Sequence, residues 1–129
     1  MLFRLAPFAP VLLGVTCAQL ALGVMNPLIP LILLQVGVSS PTIGLVASAY
    51  FVGFLAGALT AARIVGGVGH IRAFAVFAAV AADAALLMAY TVYPLPTAIL
   101  RAVVGYSSSG MFLVAESWLN ERSEQASRG

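Results

Sequence analysis

Residues 42–92 read TIGLVASAYFVGFLAGALTAARIVGGVGHIRAFAVFAAVAADAALLMAYTV. The stretch holds two apolar runs, about 42–64 and 71–92, and its only charged residues are Arg63, Arg72 and Asp83. A helix needs about 20 apolar residues to cross a hydrocarbon layer of about 30 Å, so each run is long enough to span a bilayer. Between them lies Gly66-Gly67-Val68-Gly69-His70, a glycine-rich break flanked by positive charge. Working outward, two further apolar segments qualify, about 8–35 and 96–119. The separators carry turn chemistry. Gly37-Val38-Ser39-Ser40-Pro41 places Ser40 as N-cap and Pro41 in the first helical position, and Tyr93-Pro94-Leu95-Pro96-Thr97 breaks the third helix from the fourth. The fold class expected is all-α: a polytopic bundle of four transmembrane helices over residues 1–129, with 120–129 a polar tail or loop.

Composition agrees. The chain is 62% hydrophobic and 8% charged, whereas an ordinary soluble domain is about 25% charged. Six arginines stand against Asp83, Glu116, Glu121 and Glu124, and the net +2 is too small and too dispersed for a nucleic-acid interface. Cys17 is the single cysteine, which rules out an intramolecular disulfide. Arg4 followed by an apolar run resembles the start of a signal peptide, but the run continues to Leu34 without a small-residue cleavage site. Gly14-Val15-Thr16-Cys17 makes a poor lipobox, so the first segment reads as a retained helix. One histidine, one cysteine and no clustered carboxylates leave no nucleophile–base or metal constellation, so neither enzyme activity nor a metal or cofactor is expected. The Ser107-Ser108-Ser109 run reads as helix packing.

Orientation follows from the arginines. Arg4 precedes the first helix; Arg63, His70 and Arg72 flank the second turn; Arg122 and Arg128 follow the fourth helix. The turns 36–41 and 93–97 contain neither Lys nor Arg. The positive-inside rule then puts both termini in the cytoplasm.

Within the spans, polar residues are the informative ones. Helix 2 carries Ala49, Gly53, Gly57 and Ala61 at every fourth position, a strip on which another helix backbone can approach closely. Helix 1 carries Gln19 near mid-membrane and Asn26-Pro27-Leu28-Ile29-Pro30 further out. The two prolines take the usual partners from the carbonyls of Gly23 and Asn26, which suggests a kinked, partly unwound segment facing a cavity, or a kink that only shapes packing. Arg101 lies about 7.5 Å below the outer end of helix 4 and Asp83 about 15 Å deep. Each such charge costs at least about 2.5–3.5 kcal/mol in the membrane, so both are functional candidates, and a long arginine could reach down to pair with Asp83. The alternatives are a snorkelling Arg101 and a neutral, hydrogen-bonded Asp83. At the inner end, Trp118 reads as an interfacial anchor and Glu116 as a partner for Arg63 or Arg72, with Glu121, Arg122 and Glu124 a solvated tail.

These residues, in this order, resemble the first four helices of the major facilitator superfamily, and in particular a bacterial drug-efflux-like subfamily. Asn26 to Leu31 resembles its N-x-L-x-P-L stretch, and Gly44 to Gly53 its G-x-x-x-S-x-Y-F-x-G helix. Gly57 to Arg72 stands where the superfamily has G-x-L-x-D-R-x-G-R-[KR]: Gly57, Leu59, Gly69 and Arg72 match, while Ala61 replaces the aspartate. Arg101-Ala102-Val103-Val104-Gly105 resembles the fourth-helix R-x-x-x-G motif, and Glu116-Ser117-Trp118-Leu119-Asn120 with Arg122 and Arg128-Gly129 the subfamily's E-S-W-L-N-x-R…R-G ending. The resemblance implies a secondary transporter of the bacterial inner membrane, working by alternating access with protons coupled through Arg101, of which this chain is about the first third. It puts helices 1 and 4 on the cavity and helix 3 outside. Gln19, Asn26 and Arg101 become expected substrate residues, Arg101 and, ranked lower, Asp83 expected proton-coupling residues, and Gly57, Arg63, His70, Arg72 and Glu116 an expected cytoplasmic gate. Expected partners are a small-molecule substrate, protons, lipid, and either the remaining helices or another copy. A complete four-helix multidrug exporter acting as a dimer, and a non-transporting membrane subunit assembling through the small-residue strip, are the alternatives; the first lacks the acidic residue in helix 1 that its class carries.

The four-span arrangement predicts that single cysteines at positions 39 and 94 react with an impermeant thiol reagent applied from outside, whereas one at position 67 does not. Labelling at 67 with protection at 39 and 94 reverses the orientation.

Overall fold

The computed structural model describes residues 9–128, so Arg4 and Gly129 lie outside the described residues. Four helices follow one another: α1 (Ala9–Gln35), α2 (Ser40–Val68), α3 (His70–Met88) and α4 (Pro94–Arg128). All four are long and apolar enough to cross a membrane.

Local chemistry sets their ends. α1 closes on Gly37, whose φ of +87° favours glycine; Gly37 N–H donates to Leu34 and Val38 N–H to Leu33, the paired bonds that satisfy a helix's last carbonyls. The N-cap of α2 is Ser39, one residue earlier than expected, with Pro41 in the first turn; the Ser39 hydroxyl bonds to Thr42 Oγ1 at 2.8 Å. α2 passes through Gly66 and Gly67 as helix and stops only at Gly69, where φ is +93°. α3 ends at Met88, four residues short of the expected 92, in a turn that bonds Tyr93 N–H to Thr91 Oγ1 ahead of Pro94. α4 starts at Pro94 because both prolines fall in its first turn, where a missing N–H is no loss. It also runs nine residues past the expected 119, through the segment read as a tail or loop. No Gly or Pro interrupts Met111 to Arg128, and Glu, Gln, Arg and Ala there are good helix formers. α1 is likewise continuous through Pro27 and Pro30, so the expected partial unwinding does not occur.

α4 is the centre of the bundle. Eleven of its residues are buried, against three in α1. The small-residue strip of α2 faces it: Gly53, Gly57 and Ala61 are buried and Ala49 half-buried. A Cβ on Gly53 would collide with the Ala102 carbonyl, and one on Gly105 with the Tyr50 carbonyl, so each helix sets a glycine against the other's backbone. One turn further along, a Cβ on Gly57 would stand 2.8 Å from both the Tyr106 carbonyl oxygen and Ser109 Cβ. A 2.7 Å hydrogen bond between the Thr60 and Tyr106 hydroxyls closes this seam. On the other side of α4, Gly110 receives the ring of Phe77 from α3. Two apolar clusters fill the bundle. Leu22, Ile29, Leu33, Val46, Ala84, Met88 and Val104 form one half, and Ala61, Val65, Ala73, Phe77, Met111 and Val114 the other.

The seam makes a differential prediction. Gly53→Ala and Gly105→Ala should each lower the thermal midpoint in detergent, by the cost of overpacking, about 1–3 kcal/mol. Gly44→Ala, with nothing within 4 Å of the new Cβ, should be neutral or stabilise by up to about 1 kcal/mol. Equal midpoints for all three variants would show that α2 and α4 do not meet at these glycines.

Candidate functional site

Three helices bring polar and aromatic side chains together around Arg101. The arginine sits in the second turn of α4 and is 4% exposed. Its Nη1 donates to Asn26 Oδ1 of α1 at 3.0 Å, and its guanidinium carbon lies 5.3 Å from the centre of the Tyr50 ring of α2. Nε is buried and has no acceptor among the described residues. The guanidinium is thus tied on one edge and stacked on one face. The tie spans 75 residues of sequence, and the glycine seam makes the rest of the arrangement possible. Because Gly105 rests on the carbonyl of Tyr50, the same residue supports the glycine of R-x-x-x-G with its backbone and the arginine with its ring. The small residue after Arg101 therefore admits the α2 backbone.

Sequence reasoning did not single out Tyr50. An aromatic in an apolar span carries no desolvation cost, and its signals were its place three residues before Gly53, on the flank of the small-residue strip, and its match to the Y of the G-x-x-x-S-x-Y-F-x-G helix. Aromatic packing continues from it: Tyr50 and Phe54 rings lie 6.1 Å apart, and Phe54 and Phe112 of α4 6.3 Å apart.

Gln19 is exposed on α1, seven residues before Asn26 and hence on the same helical face. Asp83 is elsewhere. Ala84 and Met88 turn the inner face of α3 toward the bundle, which leaves Asp83 about 100° away, exposed and with no hydrogen bond or ion pair among the described residues. The expected Asp83–Arg101 pair is not formed; Asn26 takes that place.

At the arginine-rich end, the expected gate residues are not one cluster. Gly57 lies inside the α2–α4 seam. Arg63, Arg72 and Glu116 are exposed, and Glu116 meets neither arginine within 4.0 Å. His70 instead faces Glu121, Nε2 to Oε1 3.8 Å, because α4 stays helical beyond 119 and carries Glu121 past the start of α3. Arg122 lies over the Trp118 ring at 5.3 Å. Ala61, at the motif's aspartate position, is fully buried in an apolar cluster. An apolar cleft of about 330 Å³ separates α1 from α3, with Cys17, Ala21, Phe74 and Ala82 on its walls and Val104 and Met111 on its floor. No group of three or more His, Cys, Asp or Glu among the described residues could hold a metal ion.

The arrangement suits recognition and conformational change more than bond chemistry. A permanently charged group is fixed inside the apolar part of the bundle by a side chain from α1, the helix with the fewest buried residues. A family model described as Major Facilitator Superfamily matches residues 11–129, while no curated protein and no solved structure gives a match. Four apolar spans in the order of that family's N-terminal part, and a match over nearly the whole length, lead to one conclusion: the chain belongs to the Major Facilitator Superfamily, whose members are membrane transporters and not enzymes.

Proposed function

We propose that the chain supplies the first four helices of a proton-coupled secondary transporter of the bacterial inner membrane, with both termini cytoplasmic. The observation that carries this reading is the buried Arg101, bonded to Asn26 across α1 and α4. A charge in a span is costly and is rarely retained without a task. Arg101, Asn26 and, along the same face of α1, Gln19 form the substrate side of the site. Alternating access requires a contact that is made in one state and broken in the other. The Asn26–Arg101 bond fits that need, since α1 buries only Leu22, Ile29 and Leu33, the fewest residues of the four helices. Proton movement is coupled through Arg101, and Asp83 is secondary because it faces away from the bundle. His70 and Glu121, with Arg63 in the last turns of α2 and Arg72 in the first turn of α3, form the cytoplasmic latch. The arginine-free outer turns support the orientation.

The test is proton flux in pyranine-loaded proteoliposomes holding the full transporter that carries these helices, challenged with a panel of small organic solutes. Wild-type protein should show solute-dependent proton movement. Arg101→Ala and Arg101→Lys should both abolish it while inserting and folding normally, because lysine loses the planar fork. A snorkelling anchor predicts the opposite, since lysine snorkels equally well. Full coupled flux from the lysine variant would remove the coupling role.

A further inference from the structure

Of the five N–H donors of Arg101, the one engaged by a protein acceptor is on Nη1. A guanidinium presents two usable edges besides its tip, and the edge formed by Nε and the far Nη2 matches the two oxygens of a carboxylate in a parallel pair of bonds. In this structure Asn26 holds Nη1, the Tyr50 ring covers a face, and among the described residues neither Nε nor Nη2 has an acceptor. Nε is fully buried. Buried polar atoms are nearly always hydrogen-bonded, and an unpartnered buried donor on a charged group points to an acceptor supplied from elsewhere. Among the described residues no carboxylate stands within 4.0 Å of Arg101. An apolar, aromatic row leads away from the guanidinium, beginning at the Tyr50 ring that covers it: Tyr50, Phe54 and Phe112 follow one another at 6.1 and 6.3 Å. Phe112 is eleven residues after Arg101, three helical turns along the same face of α4. The access edge is α1, where Asn26 itself is exposed.

We infer that the free Nε–Nη2 edge of Arg101 is a carboxylate site, and that the transported solute is a monoanion carrying a carboxylate on an aromatic or other apolar body. The carboxylate lies bidentate on Arg101 while the body packs along Tyr50, Phe54 and Phe112. This rests on the reading of the chain as a transporter. The recognition chemistry is a carboxylate in either case, and its source is the solute or an acid side chain of the protein; Asp83 is the acid nearest the middle of the spans.

The experiment uses the full transporter that carries these helices, in detergent micelles, labelled with ¹⁵N-arginine, and follows the Nε–H correlation of Arg101. The correlation is assigned by its loss in Arg101→Gln and, should that variant fail to fold, by the ring-current change in Tyr50→Leu. Benzoate should shift it downfield and saturate, and acetate should act in the same direction but bind more weakly. Sodium chloride at equal concentration should leave it in place. In Arg101→Lys, benzoate retention on a micelle-equilibrated column should weaken about tenfold, as expected for losing one of two charge-assisted bonds. No saturable shift overturns the site, and the same shift from chloride reduces it to a point charge. If Asp83→Asn moves the wild-type resonance upfield and benzoate binds only in that variant, the edge belongs to the protein's own acid and the solute assignment falls. Saturation by benzoate without coupled flux in proteoliposomes would leave this site standing and remove proton coupling; flux without saturation would do the reverse.

Discussion

The structure depends on the closeness with which α2 and α4 can pack their backbones. In lipid there is little hydrophobic force to bring helices together, so van der Waals contact between smooth surfaces has to do it. Gly53 against the Ala102 carbonyl and Gly105 against the Tyr50 carbonyl make that contact reciprocal. Everything polar in the bundle is placed relative to it. With the two axes this close, the Tyr50 ring reaches the guanidinium of Arg101, and the Thr60 and Tyr106 hydroxyls can meet. α3 adds a second contact through Phe77 on Gly110, so α4 is held from two sides while α1 rests on the outside.

The same seam explains a difference between the two ends of the molecule. Around Arg101 the polar contacts are few, and the guanidinium itself is buried although its partner Asn26 is exposed. At the arginine-rich end His70 and Glu121 are partly or largely exposed and 3.8 Å apart, a distance too long for a hydrogen bond. Such exposed pairs are typically worth about 0–1 kcal/mol. At one end a single shielded contact holds α1 to α4, and at the other an exposed pair parts with little cost.

The four spans were legible in the sequence because the bilayer imposes a length that apolar runs must meet. Their ends were less so. Gly66 and Gly67 read as a break, yet a glycine ends a helix only where its φ turns positive, and that happens at Gly69 alone in this turn. The polar run after Leu119 read as a tail because polarity suggests solvent, whereas its residues are good helix formers with nothing to stop them. Within the site, Arg101 and Asn26 stood out because polar groups in a span are costly. Depth along an axis can be counted from sequence; direction around it depends on which face meets the neighbours. Arg101 and Asp83 therefore appeared able to pair, while Ala84 and Met88 turn Asp83 away. Tyr50 stood in the matched second-helix motif, but its role was hidden for the opposite reason, since an aromatic ring among apolar residues gives no warning that it lies under a charge.

α4 is 35 residues long, about 52 Å at 1.5 Å per residue, against a hydrocarbon layer of about 30 Å. Its pivot is the seam at Gly105, and the segment from there to Arg128 is about 35 Å long. A rigid rod of that length works as a lever. A tilt of about 10° at the seam, small enough for packed side chains to follow, would sweep the far tip through about 6 Å. Displacements of about 1 Å at the arginine, about 6 Å from the pivot, would be read outside the membrane as movements the width of a side chain.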